Sequence, residues 1–122
     1  MGQSVRIFKE FSFEAAHRLP NLPQEHKCCR LHGHSFRARL TLEGSIDPQL
    51  GWFMDFADVK QAFARIHDQL DHRFLNEIEG LNNPTSENLA VWIWQNLKPR
   101  LPQLCEVTVH ETCTTGATYR GG

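Results

Sequence analysis

The sequence predicts an α+β fold in which an antiparallel β-sheet carries two helices on one face, in the order β-β-α-α-β-β. Three observations carry this. Residues about 4 to 18 and 34 to 46 alternate apolar and polar side chains with the period of two that half-buried strands have. The stretches after Asp55 and after Thr85 instead repeat apolar residues every three or four positions, as amphipathic helices do. Connections between consecutive strands are too short for the crossovers that parallel pairing needs.

In the first strand Val5, Ile7, Phe11, Phe13, Ala15 and His17 share a face, interrupted only by Lys9, while Arg6, Glu10, Ser12, Glu14 and Arg18 lie opposite. Leu19 to Lys27, with Pro20, Asn21 and Pro23, reads as a loop. In the next extended segment His32, His34, Phe36, Ala38, Leu40 and Leu42 share one face, and Ser35, Arg37, Arg39, Thr41 and Glu43 take the other. Asp47-Pro48-Gln49-Leu50-Gly51 is a turn.

Asp55 precedes a helix with Phe56, Val59, Phe63, Ile66 and Leu70 on one face. Asn82-Asn83-Pro84 breaks the chain, and Thr85 or Ser86 then caps a second helix, with Glu87 in the first turn where a carboxylate suits the helix dipole. Its apolar face is Leu89, Trp92, Ile93 and Leu97, and Pro99 and Pro102 stop it. A third strand is predicted from about Leu104 to Cys113, Gly116 marks a tight turn, and Ala117 to Arg120 form a short fourth strand. So small a sheet exposes its edges, a liability commonly met by pairing edges between subunits, so a homo-oligomer is expected.

A chain of 122 residues is expected to form one domain, 1–122, with its own core. A formal net charge of −1 gives no electrostatic footprint for nucleic acid or a membrane surface, so neither is expected as a partner. No apolar run approaches the roughly 18 to 20 residues of a membrane span, and Met1 to Arg6 lacks the form of a signal peptide. The expected location is cytoplasmic, with Cys28, Cys29, Cys105 and Cys113 reduced. These cysteines form no paired CxxC spacing.

The chemistry concentrates at Cys28-Cys29-Arg30-Leu31-His32-Gly33-His34 together with His17. His32 and His34 point the same way, Gly33 leaves room between them, and His17 ends the inward row of the first strand. If the two strands pair antiparallel, three neutral imidazoles converge at one end of the sheet, a donor set that suits zinc. Three protein ligands leave a fourth position open, the mark of a catalytic rather than a structural zinc site.

Cys28, four positions before His32, can reach that position without ligating, and His26, Lys27 and Arg30 favour its thiolate. Alternatively Cys28 or Cys29 closes the site as a fourth ligand, giving a non-catalytic zinc or thiol-switch module. Asp71 beside His72 is a candidate proton relay, since a carboxylate can fix an imidazole's tautomer. Glu111 occupies the apolar parity of Val107, Val109 and Cys113, where a carboxylate needs a partner. That partner is either an arginine such as Arg37 or a heterocycle offering two parallel N–H donors, as the amino-pyrimidinone edge of a pterin or guanine does.

Together, Phe13-Glu14-Ala15-Ala16-His17, Cys28-x-x-x-His32-Gly33-His34, Leu70-Asp71-His72, Pro84-Thr85-Ser86-Glu87 and His110-Glu111-Thr112 resemble the 6-pyruvoyltetrahydropterin synthase family over nearly the whole chain. The cysteine spacing is most similar to its bacterial branch, the 6-carboxy-5,6,7,8-tetrahydropterin synthases of queuosine (7-deazaguanine) biosynthesis. One departure is Cys29, where those sequences carry glycine. The resemblance implies the tunnelling fold, in which sheets of several subunits, six by resemblance, close into a barrel with sites at subunit interfaces. It implies His17, His32 and His34 as zinc ligands, Cys28 as base, Asp71 and His72 as relay and Glu111 as pterin anchor, with Thr85, Ser86 and Glu87 lining the pterin pocket. The implied reaction takes 7,8-dihydroneopterin triphosphate to 6-carboxy-5,6,7,8-tetrahydropterin, acetaldehyde and triphosphate. The alternative is 6-pyruvoyltetrahydropterin synthase activity on the same substrate.

Overall fold

A computed structural model of the chain describes residues 2–122. Five strands, β1 (Ser4–His17), β2 (His32–Ser45), β3 (Arg73–Phe74), β4 (Leu104–His110) and β5 (Gly116–Tyr119), form one sheet in the order β3-β1-β2-β4-β5. Helices α1 (Phe56–Leu70) and α2 (Ser86–Leu97) cover one face, and single 3₁₀ turns span Lys27–Cys29 and Leu75–Glu77. Every pairing is antiparallel except that of β3 with β1, which joins Ala15 and Ala16 to Arg73 and Phe74. None of the described helices is long and apolar enough to cross a membrane.

The expected two-helix, antiparallel architecture is present, with differences at the ends of elements. β2 begins at His32, so His32 enters the ladder directly opposite His17. β4 stops at His110 rather than near Cys113, because the Glu111 amide donates to the Thr115 carbonyl at 3.2 Å and the Thr112 and Thr115 hydroxyls bond at 2.7 Å, closing the turn early. β3 has only two residues, too few for any periodicity to reveal it. Since β3 covers β1 only at Ala15 and Ala16, most of β1 is a free sheet edge.

β1 and β2 pair without slippage from Ser4 opposite Ser45 to His17 opposite His32. Their inward residues, including Phe13, Phe36, Ala38, Leu40 and Leu42, are buried beneath Val59, Phe63, Ile66 and Leu70 of α1 and Leu89, Ile93 and Leu97 of α2. Asp55 caps α1 by accepting from the Ala57 amide at 2.9 Å, and Thr85 caps α2 by accepting from Asn88 at 3.0 Å. Phe36 stacks on Phe13 with ring centroids 5.2 Å apart, and its ring also meets those of His17 and His34 edge-on, each at 5.4 Å. Phe36→Ala is therefore expected to cost about 3–5 kcal/mol, read as a lower urea midpoint of the metal-free protein.

Candidate metal centre and the groups around it

His17, at the last position of β1, is completely buried, and its cross-strand partner is His32, with His34 diagonal to it. The three rings lie with centroids 4.5 to 5.2 Å apart, and one nitrogen of each falls within 4.8 Å of the others. His17 Nδ1 meets the Pro84 carbonyl at 2.8 Å and His32 Nδ1 meets the Arg30 carbonyl at 2.7 Å. A carbonyl only accepts, so Nδ1 carries the proton in both rings and the neutral form presents a lone pair at Nε2. Burial lowers the His17 pKa against the opposing pull of the Pro84 carbonyl, which favours that neutral form.

His17 Nε2 is buried and has no hydrogen-bond partner. A buried, partnerless nitrogen facing two other imidazoles fits a metal ion, and three nitrogens with backbone carbonyls behind two of them make a donor set suited to zinc. Gly33 is not needed for close approach, since a Cβ there would meet the Ala15 carbonyl oxygen at an ordinary 3.6 Å. It lines a cavity together with His34, Ser35, Glu14 and His72.

Glu111 lies just beyond β4, yet its Oε1 stands 3.3 Å from His17 Nε2 and 3.7 Å from His34 Nε2. Arg37 is not its partner, for that guanidinium faces Glu10 at 3.6 Å. Cys28 sits half-buried in the 3₁₀ turn, its carbonyl accepting from the Leu19 amide at 2.8 Å and its own amide donating to His26 Nδ1 at 3.0 Å. Arg18 Nε donates to the Cys29 carbonyl at 3.2 Å, so the turn is tied to the residues directly after His17. Both thiols are free, and neither joins the ligand cluster among the described residues.

Asp71 and His72 do touch: Asp71 Oδ2 lies 3.0 Å from His72 Nδ1, while its Oδ1 accepts from the Glu14 amide at 2.9 Å. That amide, with a further contribution from His72, holds the Asp71 carboxyl below the ordinary carboxylate range. His72 adopts φ of 59°, uncommon for a residue with a Cβ, and its amide donates to the Glu14 carbonyl at 2.6 Å. Its exposed ring lines a cavity of about 570 Å³ with Glu14, Gly33, His34 and Ser35. Neither Glu111 nor Cys28 is among the walls of that cavity.

Thr85, Ser86 and Glu87 open α2 beside Pro84, the residue that orients His17. The Thr85 hydroxyl is committed to the cap, Ser86 is half-buried and Glu87 is exposed. The orienting carbonyls of Pro84 and Arg30 escaped the sequence analysis because a backbone group has no residue signature.

Residues 6–122 match the family model described as 6-pyruvoyl tetrahydropterin synthase. A 6-carboxy-5,6,7,8-tetrahydropterin synthase of Synechocystis sp. is 45% identical over 119 residues, covering 93% of this chain and 91% of the relative. A dihydroneopterin monophosphate aldolase of Pyrococcus furiosus is 39% identical over 98 residues, covering 80% and 79%. Among solved structures, the Caenorhabditis elegans 6-pyruvoyl tetrahydropterin synthase superposes with a TM-score of 0.91 at 31% identity, covering 99% of this chain and 98% of that one.

Proposed function

Because the chain belongs to the 6-pyruvoyl tetrahydropterin synthase family, we propose that it is a zinc enzyme converting 7,8-dihydroneopterin triphosphate and water to 6-carboxy-5,6,7,8-tetrahydropterin, acetaldehyde and triphosphate. The observation that carries the metal-dependent reading is the buried, partnerless Nε2 of His17 facing two more imidazoles. The choice of product is supported by the Synechocystis relative. The role we propose for that product is in cytoplasmic 7-deazaguanine biosynthesis.

His17, His32 and His34 would hold the zinc, which supplies Lewis acidity toward the hydroxyls of the substrate side chain. Cys28, in a turn tied to the end of β1, takes the proton from the side-chain carbon as thiolate. His72, oriented by Asp71, shuttles a proton at its Nε2. The Glu111 carboxylate receives the two N–H donors of the pterin edge, with Thr85, Ser86 and Glu87 beside it. The second reading, a 6-pyruvoyltetrahydropterin product, is favoured by the likeness to the C. elegans enzyme. Zinc-loaded protein incubated with 7,8-dihydroneopterin triphosphate decides between them: acetaldehyde and a carboxypterin by mass support the first reading, and a pyruvoyl product without acetaldehyde overturns it.

Within one chain the Asp71–His72 pair faces a cavity that Glu111 and Cys28 do not line. His34 of the cluster does line it, so the free edge of β1 carries the case for a homo-oligomer, a hexamer by resemblance, in which one chain's relay serves another's metal centre. Mixing inactive His32→Ala and His72→Ala proteins is then expected to restore part of the activity, because some sites combine an intact cluster with an intact relay. A fully active monomer in light scattering would refute the shared site.

A further inference from the structure

We propose that Glu111 is the fourth metal ligand of the His17, His32, His34 cluster while no substrate is bound, and that it leaves the ion when an amino-pyrimidinone ring takes its carboxylate. The inference rests on the zinc reading above and extends it, since that reading gave Glu111 to the substrate alone.

The Nδ1 proton of His17 is committed to the Pro84 carbonyl, so the neutral ring turns a lone pair at Nε2 toward Glu111 Oε1, 3.3 Å away. The His17 nitrogen is buried and the Glu111 carboxylate partly so, and two acceptors facing each other there repel unless a cation lies between them. A proton is the poorer candidate, because charge-assisted N–H···O contacts close to about 2.7–2.9 Å. A zinc ion fits better: with tetrahedral bonds of about 2.0–2.1 Å, neighbouring ligand atoms stand about 3.3 Å apart. The separation from His17 has that length, the 3.7 Å to His34 is longer, and His32 lies beyond 4.0 Å, so the carboxylate meets two of the three rings at ligand spacing as it stands.

The position of Glu111 also allows it to leave. It lies past the end of β4 in a turn closed by its own amide, so its side chain can change rotamer without breaking the ladder. The atoms that lie within 4.8 Å of one another belong to His17, His32 and His34 alone among the described residues, so Glu111, which already stands beside His17 and His34, completes the set by turning toward His32, and neither Cys28 nor Cys29 stands in its way. Ion and ring thus draw on one carboxylate, and the open coordination position appears only once the ring is seated.

The test is zinc affinity, measured by competition with a chromophoric chelator on metal-free wild type, Glu111→Gln and Glu111→Ala, with circular dichroism to verify folding. Both variants are expected to bind zinc about 10- to 100-fold more weakly. The absorption spectrum of the cobalt-substituted wild type should change on adding neopterin, which has the ring without the triphosphate. In both variants the substrate-free cobalt spectrum should already differ from that of wild type. Wild type and variants of equal zinc affinity would overturn the proposal and leave the three-histidine site standing. A wild type that binds no zinc would overturn both. Weaker zinc binding with a cobalt spectrum indifferent to neopterin would overturn release of the ligand by the ring.

Discussion

His32→Ala protein is expected to purify without zinc and without activity, whereas Cys28→Ala keeps its zinc and loses turnover by about 10²- to 10⁴-fold. His32 is the better histidine to remove, because His17 is completely buried and bonded to the Pro84 carbonyl, so its loss would also disturb the core. His32 is half-buried, and its truncation takes away one nitrogen of three while leaving the Phe13 and Phe36 stack intact. Cys28 stands outside the ligand cluster, so removing its thiol should not touch the ion. Metal analysis alongside product formation reads both effects. Loss of zinc from Cys28→Ala would establish a closed four-ligand site in place of a catalytic one.

Glu111→Gln in zinc-saturated protein is expected to lower pterin affinity, or kcat/KM, by roughly thirty- to a thousandfold. The substitution turns one acceptor oxygen into a donor that faces another donor on the ring. The lost charge-assisted bond and the unpaired groups together cost on the order of 2 to 4 kcal/mol, which is that range of fold-change. Fluorescence titration with neopterin measures it. Unchanged binding would remove the anchor role and leave Glu111 to its imidazole neighbours alone.

The three histidines were legible because the property that joins them is local. Period-two alternation puts His17, His32 and His34 in phase with Phe13 and Phe36, and the β1–β2 register then brings them together. Glu111 was found by extending the same parity past the real end of β4. The side chain still arrives at the cluster, though the Glu111–Thr115 turn, rather than a strand, delivers it. The Asp71–His72 contact depends on a positive φ that no residue type advertises at that position. β3 was illegible because a two-residue bridge is decided by where α1 ends, not by its own composition. Carbonyls such as that of Pro84 enter a site through tertiary placement, which a single chain of letters does not encode.

The unslipped pairing of β1 with β2 would give an ion held by the three histidines a second office, as a gauge of alignment. His17 and His32 face each other across the mouth of the long loop formed by residues 18–31, at the end of a ladder whose far end is Ser4 opposite Ser45. Sliding one strand by a single position would turn one set of imidazoles to the opposite face, and sliding by two would draw His17 and His32 out of opposition. Only the correctly threaded hairpin would hold such an ion tightly. Free ion at about 1,000 times its dissociation constant would then favour that hairpin by about 4 kcal/mol over every mispaired form. The same three side chains would therefore proofread the longest ladder among the described residues, and a nascent chain short of the ion would suffer first in its strand alignment.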